Sequence, residues 1–182
     1  WVRGMPYWGN GPHLGQNGKY EVLILPTESS YTGFMRNRVG LTTRLTQRWN
    51  FSERDTLSTL THIQQEEMRI DEALHGHIVS CVTQCMLNGF RHYSYDKPVW
   101  ILEGCCHWFE RDLNPRFNSS TSSEGGAPVK VRKELWSPEV AKLVKAGKAP
   151  ALATLVKRSA FAELDRADHL CVWSMVDYLR EE

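Results

Sequence analysis

His77 and Cys81 stand four residues apart in a stretch whose spacing predicts a helix. A helix turns about 100° per residue, so positions i and i+4 share a face about one turn apart. An imidazole and a thiolate placed this way can clasp one metal ion, with zinc bonds of about 2.0 Å to nitrogen and about 2.3 Å to sulfur. His75 lies roughly 200° around the helix from His77 and cannot face the same ion. A cysteine nucleophile is a second chemistry, drawn from Cys81, Cys85, Cys105 or Cys106 with His77 or His107 as base. There is no G-x-S-x-G elbow and no Walker loop. The same residues also read as packing: Ile70, Leu74, Ile78, Cys81 and Cys85 form a helical stripe, and a buried free cysteine behaves as a small hydrophobe. Adjacent Cys105 and Cys106 bridge only with strain, which favours half-buried packing over a redox pair.

Further along comes Pro98-Val-Trp-Ile-Leu-Glu-Gly-Cys-Cys-His-Trp-Phe-Glu110. This block resembles the P-x-W-L-x-E-G-x-A-x-Y-x-E helix of minimal gluzincin metallopeptidases, the peptidase MA-like zinc enzymes. The resemblance implies that Glu103 holds the position of the third zinc ligand. In such enzymes H-E-x-x-H on the preceding helix supplies the other two ligands and the catalytic glutamate. The matching segment here is His77-Ile78-Val79-Ser80-Cys81, in which Ile78 replaces the glutamate and Cys81 the second histidine. The other frame, from His75, puts Gly76 at the base position and Val79 at the second ligand. His107 lies at i+4 from Glu103, where the family often has an acidic supporting residue, so it can join a metal site or hydrogen-bond to a ligand. A strand followed by P-x-x-x-x-Y-x-x-F (Pro26 to Phe34), G-K-A-P-A-L-A-T-L (Gly147 to Leu155) and W-S-M-V-D-Y-L (Trp173 to Leu179) extend the likeness from about Lys19 to Glu182.

Two functions follow from that likeness. Ile78 can neither take a proton from metal-bound water nor return it to a leaving amine, and loss of a positioned general base costs about 10²–10⁴ in rate. A thiolate ligand also makes the metal a poorer Lewis acid. The favoured reading is therefore a degenerate metallopeptidase-like domain without peptidase activity, with no catalytic residue. It would serve as a binding or assembly module for a protein partner or within a larger parent chain, with Glu103 hydrogen-bonded inside a lapsed site and no cofactor. The alternative is a metal-binding protein or metallohydrolase of altered chemistry, with zinc on His77, Cys81 and Glu103 and supporting roles for His75 and His107.

The elements that must position these groups are read from local signals. Residues 1–18, rich in Gly, Pro, Asn and aromatics, read as an irregular arm, and 19–182 as one gluzincin-like domain. Tyr20 to Leu25 is an apolar run closed by Pro26, a buried strand. Thr27 or Ser29 caps a helix through about Arg38, with Gly40 as its C-cap. Leu41 to Phe51 and Thr56 to Ile63 read as strands, and Gln65-Glu-Glu67 opens a helix that Asn88-Gly89 closes. The glutamate helix runs from Pro98 to about Asp112. Residues 114–129 are a low-complexity stretch read as a mobile loop. Ser137-Pro138-Glu139 starts a short helix ending at Gly147, and Ser159 to Glu182 reads as a terminal helix. The expected fold is α+β and zincin-like: a small mixed sheet near the N-terminus, packed on an active-site helix and a glutamate helix, with a helical C-terminal part.

With 182 residues, 41% apolar and 24% charged, the chain has the composition of one soluble globular domain. A net charge of +1 gives no reason to expect a nucleic-acid or membrane surface. No apolar run approaches the roughly 20 residues of a membrane span. Five cysteines without regular spacing argue against a disulfide framework. The opening at Trp1 is compatible with a part of a longer product.

Overall fold

The computed structural model describes residues 20–51, 56–90, 98–115, 117–119, 129–131 and 135–181. The expected arm lies outside the described residues. Strand β1 (Glu21–Leu25) alternates, with Val22 and Ile24 exposed and Leu23 and Leu25 turned to the core. Thr27 caps helix α1 (Glu28–Phe34): its Oγ1 accepts from the Ser30 amide at 3.0 Å, and the Ser30 hydroxyl accepts from the Thr27 amide at 3.3 Å. The helix widens into a looser turn over Met35–Val39 and ends at Gly40, whose φ of 75° is the left-handed conformation that glycine adopts without strain.

Strand β3 (Thr56–His62) is central, paired in parallel with β1 and antiparallel with β2 (Gln47–Phe51). Residues 41–46, expected within a strand, precede it as irregular chain. Alternation along β3 divides the domain. Leu60 packs on one face with Tyr31 and Met35, and the His62 ring lies 5.0 Å from that of Tyr31. On the other face Thr59 Oγ1 lies 3.8 Å from Cys85 Sγ, while Thr61 meets Thr46 and Met68. The Tyr31 hydroxyl donates to the carbonyls of Leu45 (2.6 Å) and Leu60 (3.3 Å), tying α1 to the sheet. Tyr31→Phe is expected to cost about 1–2 kcal/mol in urea unfolding, because buried carbonyls lose their donor. Unchanged stability would mean the hydroxyl is not the tie.

Helix α2 (Asp71–Phe90) follows a single tight turn at Glu66–Arg69, so the acidic pair at its positive end is Asp71 and Glu72 rather than Glu66 and Glu67. The apolar stripe does not define its buried face. Cys81 and Cys85 of that stripe are buried, but Ile70 is 54% exposed, and His77, Ser80 and Gln84, outside the stripe, are buried as well. Two layers cause this: α2 meets β3 on one side and helix α3 (Val99–Leu113) on the other. Helix α6 (Arg166–Glu181) covers α3 in turn. It begins later than the sequence suggests, after a tight turn at Phe161–Glu163, where the Asp165 carboxylate accepts from the Asp168 amide at 2.8 Å. Helix α4 (Trp136–Lys145) starts one residue before Ser137 and carries no side-chain cap, so the Ser-Pro-Glu signal is unused. A four-residue helix α5 (Leu152–Leu155) lies in the connector. Strands β4 (Phe117–Ser119) and β5 (Val129–Val131) pair antiparallel where a loop is expected; residues 116 and 120–128 lie outside the described residues. The architecture is α+β, with a small mixed sheet near the N-terminus and a helical C-terminal part. Among the described residues no helix is long and apolar enough to cross a membrane.

Candidate functional site

The motif residues fall into two buried clusters. The first lies between α2 and the sheet. His77 is fully buried and its Nε2 is 2.8 Å from Thr46 Oγ1, which is also 2.8 Å from Thr61 Oγ1. Cys81 Sγ, one helical turn on, lies 3.7 Å from the same His77 nitrogen. Arg48 pairs across the ladder with Thr59 and so shares the face toward α2, where its positive charge acts on both His77 and Cys81. Burial pushes the Cys81 thiol up to about 12, partly opposed by Arg48. Burial, reinforced by Arg48, pulls His77 down to about 4. The pair is thus a neutral thiol beside a neutral imidazole. His77 Nδ1 is buried with no hydrogen-bond partner among the described residues.

The second cluster joins α3 to α6. Glu103, His107 and Glu110 share one face of α3 at 0% exposure, and His169 of α6 meets them at 7%. His107 Nε2 is 2.9 Å from His169 Nδ1. Glu103 Oε2 is 3.5 Å from each of those two nitrogens. Gln84 of α2 donates to Glu103 Oε1 at 3.1 Å, and His107 Nδ1 is 3.1 Å from Glu110 Oε2. Burial pulls His107 down to about 4, although Glu103 opposes it, and His169 down to about 3, with His107 adding to the fall. Both imidazoles are neutral at pH near 7. Neutral His107 therefore donates from Nδ1 to Glu110 and leaves a lone pair on Nε2, to which His169 Nδ1–H can donate. Trp136 meets the His107 ring at 4.8 Å, edge-on, and also lines a cleft of about 360 Å³ with Trp108, Arg111, Trp173, Asp177 and Arg180.

The expected ligand trio is distributed between these clusters. His77 and Cys81 face each other and Thr46, whereas Glu103 converges with His107 and His169. Among the described residues that convergence is the one group of three His, Cys, Asp or Glu whose ligand atoms all lie within 4.8 Å of one another. His75 is exposed, as its helical phase relative to His77 requires, and Ile78 is half-buried. All five cysteines are buried and unbridged, the surroundings of structural rather than reactive thiols. The sequence reading placed His107 beside Glu103 but missed His169, 62 positions from His107, and gave no role to Glu110 or Thr46. Compared with protein-family models, curated proteins and solved structures, the chain has no match.

Proposed function

We propose that this chain is a gluzincin-type domain that has lost peptide hydrolysis and acts as a binding or assembly module, in a larger protein or a complex. One observation carries the reading. The residues at the three zinc-ligand positions of the resembled motif separate into two clusters, His77 with Cys81 and Thr46, Glu103 with His107 and His169. A hydrolytic zinc needs its ligands on one ion, an open position and a base beside the bound water. Ile78, at the base position, has no proton-accepting atom. With turnover lost, recognition is what such a domain retains.

The test is turnover of a broad peptide library by the purified chain, with and without added zinc. Background rates are expected for the wild type and for Ile78→Glu, since a restored base still lacks a metal held by His77, Cys81 and Glu103. Zinc-dependent cleavage by the wild type, abolished in Glu103→Ala, would sink the proposal. Cleavage gained by Ile78→Glu alone would show that the separated ligands still work together.

A further inference from the structure

We infer that Glu103, His107 and His169 form a buried zinc site that ties α3 to α6. Of these three the resemblance gives a ligand position to Glu103 alone; helical spacing puts His107 beside it, and His169 is found in the packing. The deciding observation is the place of Glu103 Oε2. At 3.5 Å from both His107 Nε2 and His169 Nδ1, it is beyond the roughly 2.7–3.2 Å of a good hydrogen bond to either. Yet it is aimed evenly at both.

That spacing is the one expected around an ion. Tetrahedral zinc with bonds of about 2.0–2.1 Å separates its ligand atoms by about 3.3 Å. The three edges here are 2.9, 3.5 and 3.5 Å, the shortest being the His107–His169 hydrogen bond, which an ion replaces once neutral His169 carries its proton on Nε2 and offers the Nδ1 lone pair. The centre of such a triangle is about 1.9 Å from each corner, so an ion about 2.05 Å from all three atoms stands roughly 0.7 Å out of their plane, as in a tetrahedral site. Octahedral ligands at right angles would lie only about 3.0 Å apart, and the two longer edges exceed that. Two nitrogens and one carboxylate oxygen are a donor set of the zinc class.

The surroundings are those of held ligands. Glu110 accepts a hydrogen bond from His107 Nδ1–H, which leaves Nε2 with its lone pair toward the centre, the carboxylate–histidine–metal arrangement. Gln84 fixes Oε1 of Glu103 and so turns Oε2 inward. His169 is set by the start of α6, where Asp165 caps the Asp168 amide and Arg158 pairs with Asp168 at 3.1 Å. A dication at this point also places positive charge between the fully buried Glu103 and Glu110.

The inference stands apart from the loss of hydrolysis, because it is read by metal content and spectra rather than turnover. The chain, purified without chelators or affinity metals and then offered zinc, is analysed by elemental mass spectrometry with circular dichroism as the fold control. About one zinc per chain is expected, retained in Cys81→Ser and lost in His169→Gln. Glu110→Gln is expected to lower zinc affinity about 10–100-fold. Cobalt substitution of the wild type covers the case in which His169→Gln does not fold. Intense tetrahedral d–d bands without a sulfur-to-cobalt charge-transfer band are the expected spectrum. Folded wild type that takes up no zinc, folded His169→Gln that keeps it, or a cobalt spectrum with sulfur character would each overturn the assignment.

Discussion

Acidifying the protein in the presence of a chelator, from about pH 7 to about pH 4.5, is expected to unfold it. The cause is three imidazoles buried in neutral form. Desolvation is the leading effect on each, holding His77 and His107 at about 4 and His169 at about 3. Arg48 deepens the shift at His77 and Arg111 that at His107, where Glu103 opposes it. His107 deepens the shift at His169, against Asp168 and Asp165. Unfolded, each imidazole takes up a proton near the ordinary value of about 6.5. Between that value and the folded one the unfolded chain binds more protons, so stability falls as pH falls. Each contribution is whole above about pH 6.5 and is lost progressively, at roughly 1.4 kcal/mol per pH unit, until pH has dropped to the folded value. Domains of this size hold only about 5–15 kcal/mol in total, so losses at the three imidazoles, on the order of 8 kcal/mol by about pH 4.5, bring a domain of ordinary stability to unfolding.

Far-UV circular dichroism and tryptophan fluorescence through an acid titration provide the measurement. A midpoint between about pH 4.5 and 5 is expected, with stability against pH falling at nearly three protons' slope. His77→Gln is expected to reduce that slope by about one proton, because a non-titrating amide replaces the imidazole. A native signal that persists to about pH 4, or a slope indifferent to His77→Gln, would show that the histidines are not what acid attacks.

These three histidines also mark where the sequence stops being legible. Thr27 as a helix cap, Pro26 after β1 and Gly40 after α1 were readable because each signal concerns residues a few positions apart. The glutamate helix was readable because its block is contiguous. His77 and Thr46 are 31 positions apart, and His107 and His169 are 62. Such pairs depend on how helices cross, which no local period encodes. The apolar stripe of α2 found Cys81 and Cys85 but not the rest of the buried face, for a related reason: a helix pressed by a sheet on one side and a helix on the other buries polar residues that a one-sided pattern assigns to solvent. Ser137 failed as a cap because Trp136, packed at 6% exposure against the His107 ring, is already drawn into α4.

Gly104 sets the crossing of α3 and α6, and Gly104→Ala is expected to destabilise the domain by about 1–3 kcal/mol, the usual cost of overpacking. A Cβ there would stand 2.6 Å from the Val172 carbonyl oxygen and 2.7 Å from Val176 Cγ2. The first obstacle is backbone, so no rotamer change relieves it and α6 itself must move outward. Leu102, Cys105 and Val176 would lose contact as it does. Gly33, the penultimate residue of α1, with nothing within 4 Å of its hypothetical Cβ, supplies the opposite case. Gly33→Ala removes backbone freedom from the unfolded chain without a clash and is expected to stabilise by about 0.5–1 kcal/mol. For a chain of this size each kcal/mol moves the melting temperature by about 2–4 °C, so calorimetry should separate the two alanines by sign. Equal melting temperatures would mean that α6 has room to spare at Gly104. If the crossing loosens as expected, His169 moves with Val172, since they lie one turn apart on α6, and the 2.9 Å approach to His107 opens. A glycine without functional atoms would then govern whether the buried trio can converge at all.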